Sequence, residues 1–219
     1  MASGPDEQFV ELFIRALGDH TRKIVALSKQ CAAENRLPWV RRDGPYGKLD
    51  FDYRRYGVVV LVGGGVGMTP IIGILKDIYT GYDNAARAVP RHQMESVYVH
   101  WVMRTVTEAD VFIDGFIDGI RAHMSVAGQR HDLPSLKLTM HVTRSRGGRF
   151  MPDNANEALL AGRPNFTDVF DEITGVHGNT KTLVFACGPG GMVNRCWDEA
   201  VRRNTPARRV NFHHETFEF

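Results

Sequence analysis

The residues with the most chemical potential in this chain are glycines. Gly63-Gly64-Gly65-Val66-Gly67-Met68-Thr69-Pro70 follows directly on the all-apolar run Val58 to Val62. Glycine lets a backbone approach a diphosphate without side-chain obstruction. The N–H groups of a first helical turn, with the helix dipole, then attract the anion. Pro70 suits such a turn, where its missing N–H is not needed. The spacing is G-x-G-x-x-P at Gly65, Gly67 and Pro70, not the G-x-G-x-x-G dinucleotide fingerprint. A tight strand-to-helix turn with no ligand uses the same residues, so this loop alone does not decide.

Cys187-Gly188-Pro189-Gly190-Gly191 follows a second apolar run, Leu183 to Ala186. Ligands of open parallel sheets gather beyond the carboxyl ends of the strands. The two Gly-rich loops are therefore predicted to face one crevice, with Cys187 at its floor. The plain reading of Cys187 is a buried small hydrophobe. Nothing near it in sequence lowers a thiol pKa, so no covalent nucleophile is expected.

Three arginines stand at or beyond strand ends: Arg104 after Tyr98–Met103, Arg144 after His141-Val142-Thr143, and Arg163 in Gly162-Arg163-Pro164-Asn165. Guanidinium groups bind phosphate through paired hydrogen bonds. A 2′-phosphate on an adenosine ribose is the expected target, which favours NADPH over NADH. Any one of them alone reads as solvated surface charge. The chain ends on an aromatic ring, Phe219, which suits either a core plug or a stack on a flavin face. Acid–base pairs, Ser-His-Asp sets and zinc spacings do not stand out. His213-His214 would point to opposite faces of a strand and so does not suit one metal ion. Hydride transfer needs little acid–base chemistry from the protein, because cofactors carry the reaction.

The elements that must position these groups follow from periodicity. Alternation over Val10–Ala16 predicts a strand, and Asp19 a cap for a helix over about Thr21–Glu34. Asp43-Gly44-Pro45-Tyr46-Gly47 is turn chemistry and marks a domain boundary near residue 50. Strands are predicted at Val58–Val62, Val97–Val102, Leu136–Val142, Leu183–Ala186 and Val210–Phe212. Helices are predicted from Thr69-Pro70 to a stop at Gly81, from Thr107 to about Met124, over about Thr167–Ile173, and after Gly191 to about Arg203. This is an α/β alternation, predicting an open parallel, doubly wound sheet of about five strands. The stretch from Arg144 to Gly178 breaks the rhythm. With 219 residues the chain holds one domain, or one and part of another. A net charge of +2 is too small to suggest nucleic acid as a partner. Cys31, Cys187 and Cys196 are odd in number and not spaced for a metal, which favours a reducing compartment. No apolar run approaches the ~18–20 residues of a membrane helix.

Taken together, the Asp43–Gly47 turn, the Gly63–Pro70 loop, Gly162-Arg163-Pro164-Asn165-Phe166, Cys187-Gly188-Pro189 and Phe219 resemble the C-terminal dehydrogenase region of the NADPH oxidase and ferric reductase family, within the ferredoxin–NADP reductase group. The likeness runs from about residue 8 to residue 219. It implies a ferredoxin-reductase-type fold, with residues 51–219 binding NADPH. Residues 1–50 would be a remnant of the FAD-binding domain and a linker, since the flavin barrel and its His-Pro-Phe-Thr/Ser-like motif are not seen. Gly63 to Pro70 would hold the pyrophosphate, and Arg104, Arg144 and Arg163 the 2′-phosphate. Thr143-Arg144 looks like the Ser-Arg pair of soluble reductases. Cys187-Gly188-Pro189 would flank the nicotinamide, and Phe219 would cover the flavin.

The resemblance further implies FAD and haem elsewhere in a longer membrane protein, with this domain on the cytosolic side. Its partners would be the FAD domain and the haem-bearing membrane domain of that protein. A piece of this kind would dock NADPH but turn over little or not at all. Electrons would pass to ferric iron or oxygen, with ferric iron placed slightly ahead although the residues do not decide. The oligomeric state is left open. Two other readings stand beside it: a reductase module of a soluble flavin-dependent electron-transfer system, and a non-catalytic nucleotide sensor. Gly162–Asn165 and Phe219 speak against the first, Cys187 and Phe219 against the second.

Overall fold

Val58 to Val62 are each fully buried, because the strand they form is covered on both faces. This strand, β1 (Val58–Gly64), sits inside a six-stranded parallel sheet. The computed structural model describes residues 13–14, 16–41, 51–80, 94–112, 117–118, 121, 133–145, 152 and 155–216. The other strands are β2 (Ser96–Thr105), β3 (Ser135–Ser145), β4 (Glu157–Ala161), β5 (Thr182–Gly188) and β6 (Val210–Thr216). Their order is β4-β3-β2-β1-β5-β6.

The sheet reverses direction at β1, which pairs with β2 on one side and β5 on the other. Parallel crossovers are right-handed, so connections running in opposite directions land on opposite faces. Helix α2 (Met68–Thr80) links β1 to β2, and α3 (Thr107–Phe112) follows β2. Ile71, Leu75 and Ala109 from these helices pack with Val59, Leu61, Trp101 and Phe185. Helix α4 (Phe166–His177) links β4 back to β5, and α5 (Gly190–Arg203) links β5 to β6. Phe166, Phe170, Cys196 and Ala200 from this pair cover Val58, Val60, Val62 and Val184. Full burial of such a side chain contributes about 1.5–3 kcal/mol, so β1, buried through both clusters, anchors the fold.

Four expectations change. The sheet has six strands, not about five, because β4 lies inside the stretch read as irregular. Its Glu157-Ala158-Leu159-Leu160-Ala161 is a half-exposed edge without alternation, and Leu160 is 48% exposed. Helix α4 runs from Phe166 to His177, longer than expected at both ends, with Asn165 accepting from the Thr167 N–H at its start. The N-terminal helix α1 spans Asp19–Ala33, and Asp19 is its first residue rather than its cap. The Thr21 hydroxyl instead accepts from the Gly18 N–H at 3.0 Å and the Leu17 N–H at 2.9 Å. The strand expected over residues 10–16 falls mostly outside the described residues, and Phe13, Ile14 and Ala16, which are described, form none. The Asp43–Gly47 turn, Gly81 and part of the helix expected to reach Met124 also lie outside them.

A short segment ties the chain's entry to the sheet. The Phe51 ring lies 5.5 Å from Phe185 and 4.5 Å from His213. The Tyr53 hydroxyl and the Arg54 guanidinium both donate to Asp77 on α2.

Candidate nucleotide site

The two Gly-rich loops leave β1 and β5 side by side, and they interlock. A Cβ built on Gly67 would stand 2.2 Å from the Cys187 carbonyl oxygen, and one on Gly64 would stand 2.6 Å from Pro189 Cδ. Glycine here is what lets one backbone rest on the other. The Gly65 carbonyl accepts from Trp101 Nε1 at 3.1 Å and the Val66 carbonyl from the Thr69 hydroxyl at 2.7 Å. Protein donors thus engage both oxygens, which removes them as acceptors facing an incoming anion. A turn of 3-10 helix over Gly65–Gly67 leads into α2, so Met68 and Thr69 are buried under the loop.

On the α4–α5 side of this junction lies a cleft of about 400 Å³. Gly64 and Gly65 line it from the first loop, and Pro189, Gly191, Met192 and Arg195 from the second loop and the start of α5. Val102, Met103 and Arg104 enter from the end of β2, Glu108 from α3 and Thr143 from β3. Arg163, Pro164 and Phe166 close the side where α4 begins. The Thr143 hydroxyl donates to the Met103 carbonyl at 3.1 Å, joining two strand ends.

The cleft therefore gathers Gly64, Gly65, Arg104, Thr143, Arg163, Pro164 and Pro189 from the residues the sequence singled out. It does not gather Arg144, which follows Thr143 on β3. Asn165 caps α4 instead. Gly63, Val66, Gly67, Met68, Thr69, Pro70 and Gly188 shape or support the loop junction rather than lining the cleft. Cys187 is fully buried in the cluster with Met68 and Ile71, and burial, then Glu215, pushes its thiol up to about 12. Phe219 lies outside the described residues.

Sequence reasoning missed Glu108, Met192 and Arg195, and quoted Phe166 only as part of a motif. Arg195 could not be found from spacing alone, since an arginine on a helix reads as solvated charge. Among the described residues the guanidinium groups of Arg104, Arg163 and Arg195 have no ion pair or hydrogen-bond partner. Three positive groups thus face one cleft with one carboxylate, that of Glu108. Two residues behind Val102 and Thr143, on the same sheet face, His100 Nδ1 and His141 Nε2 lie 3.2 Å apart. Burial lowers the His141 imidazole to about 4, and burial, His141 and Lys137 lower that of His100. This buried pair, neutral at pH 7, lies behind the strand ends, and the cleft itself carries the positive charge.

A family model described as the ferric reductase NAD binding domain matches residues 56–148 and 120–200. The chain belongs to the ferric reductase NAD-binding domain family. Mouse NADPH oxidase 1 is 29% identical over 99% of this chain, which spans 38% of that protein. Respiratory burst oxidase homolog protein B from Solanum tuberosum is 27% identical over 99% of the chain, which spans 30% of it. Human NADPH oxidase 3 is 28% identical over 86% of the chain, which spans 35% of it. The chain thus covers about a third of the length of these relatives. Among solved structures, an Amycolatopsis cytochrome P450 reductase is 24% identical, with a TM-score of 0.46, covering 80% of this chain and 43% of that one. A ferredoxin–NADP+ reductase from Plasmodium falciparum with 2′P-AMP is 11% identical, with a TM-score of 0.40, covering 79% of this chain and 58% of that one. The family domain described here is an NAD(P)H-binding α/β unit with a parallel, doubly wound sheet, as the alternation of elements predicts. Among its described residues no helix is long and apolar enough to cross a membrane.

Proposed function

We propose that this chain is the NADPH-docking domain of a membrane flavo-haem reductase. The observation that carries this reading is the cleft beside the loop junction, with three guanidinium groups at its walls that have no partner among the described residues. An adenosine 2′-phosphate fits the Arg104 and Arg163 end. A pyrophosphate fits the Gly64–Gly65 end, next to the start of α5, whose helix dipole favours an anion. Pro189 and the loop it begins are the part of the cleft left for the nicotinamide end. When bound, NADPH supplies a hydride, two electrons and a proton together, to FAD held by another part of the full-length protein. The residues of this chain bind and orient; none is required as an acid or base.

The rest of the proposal concerns the whole protein. Residues 1–50 are read as the end of a flavin domain and a linker, and residues 51–219 as the NADPH domain, with Phe219 covering the flavin. FAD and haem would lie outside this chain, in domains that pass single electrons across a membrane. The relatives named above are oxidases, which supports oxygen over ferric iron as the final acceptor. The 219-residue chain alone is proposed to dock NADPH without turnover. Isothermal calorimetry on this chain tests the reading: NADPH is expected to bind at least about ten-fold more tightly than NADH, the yield of one charged hydrogen bond. Equal affinity for the two would overturn it.

A further inference from the structure

We propose that Arg195 completes a three-guanidinium clamp on the 2′-phosphate and is a specificity-determining residue for NADPH over NADH. The inference rests on the reading of the cleft given above and adds to it a residue that no loop motif contains.

The placement follows from the helix. Arg195, Glu199 and Arg203 stand at i, i+4 and i+8, which puts them on one stripe of α5. The far end of that stripe faces α4, because Arg203 donates to Asp171 and to the Thr167 carbonyl. Two turns earlier, Arg195 reaches the cleft where α4 begins, and that wall also holds Arg163. Glu199 is the nearest carboxylate on the stripe, and both its oxygens are taken. Arg202 donates to Oε1 at 2.6 Å and Arg203 to Oε2 at 3.2 Å. Arg195 is therefore left without a partner among the described residues, as are Arg104 and Arg163.

Three like charges around one opening repel until an anion enters. A pyrophosphate is common to NADPH and NADH and so does not distinguish them. The added dianion that distinguishes NADPH is the group that three guanidiniums from β2, the β4–α4 connection and α5 can share. Each planar fork can give it two hydrogen bonds.

Calorimetry on this chain with adenosine 2′,5′-bisphosphate and with 5′-AMP decides the matter. In the unaltered chain the bisphosphate is expected to bind more tightly. Arg195→Gln should shrink that preference roughly ten-fold, leave 5′-AMP binding as it was and leave the unfolding midpoint unchanged, and Arg195→Lys should restore part of it. A preference that survives Arg195→Gln in full overturns the role of Arg195 while leaving the NADPH reading intact. Equal loss of both ligands also overturns it, since Arg195 would then serve the shared 5′-phosphate. No preference in the unaltered chain sinks the NADPH reading itself, and this inference with it.

Discussion

At the end of α5 Arg203 donates to Asp171 and Glu199, and at the end of α4 Arg208 donates to the Gly178 carbonyl and the Thr174 hydroxyl. At the carboxyl ends of the strands Arg104, Arg163 and Arg195 have no such partner among the described residues. The same side chain therefore serves two purposes on one pair of helices. Near the end of α4 it satisfies the last carbonyls and offsets the helix dipole. Near the start of α4 and α5 it has no partner among the described residues, and is proposed there to bind a ligand. What holds the cleft end together is backbone contact, Gly67 on Cys187 and Gly64 on Pro189, not ion pairs.

This contrast can be broken at several points. The largest effect is expected from Gly67→Ala, whose new methyl would meet backbone that cannot step aside. A loss of about 3 kcal/mol, read as a lower unfolding midpoint with NADPH binding abolished, fits the interlock; a neutral outcome would show that the loops are not coupled. Arg163→Ala comes next: NADPH affinity should fall by about 1.5–3 kcal/mol with the midpoint unchanged. A midpoint that falls instead would mean that the cleft arginines also hold the fold.

Acid should loosen the cleft end before the far end. His100 and His141 bind protons less readily when folded than their ordinary value of 6.5. The unfolded chain takes up more protons below that value, so stability is full above about pH 6.5 and declines toward pH 4, on the order of a few kcal/mol. Thermal unfolding from pH 7 to pH 4 measures this, and His100→Gln with His141→Gln should flatten the decline. The smallest effect is the mirror of Arg163. Arg203→Ala should cost about 1 kcal/mol of stability, since Asp171 is well exposed and buried Glu199 keeps Arg202, and leave calorimetric NADPH affinity alone. Weakened binding there would dissolve the distinction between the two ends.

How much of this could be read beforehand depends on which force sets each feature. Burial on both faces writes itself into sequence as unbroken apolar runs, so β1, β2 and β5 were legible. The half-exposed edge β4 carries no alternation and was not. The glycine loops were legible as loops, but that Gly67 must rest on Cys187 is a fact about two segments far apart in the chain. Thr143 and Arg144 show a nearer limit: both sit at a strand end, yet only the first lines the cleft. Arg195 lies on a helix stripe whose other members pair among themselves, and only their pairing leaves it free.

The position of β1 also sets the order in which the molecule can be completed. One side of β1 pairs with β2, which follows soon after it in the chain, but the other side pairs with β5, from Thr182 to Gly188. As the chain emerges during synthesis, Val58 to Val62 must wait, apolar and with one row of peptide groups unpaired, until most of the domain has been made. The strand that delivers the first Gly-rich loop is thus the earliest made of the six strands in this sheet and among the last to be closed.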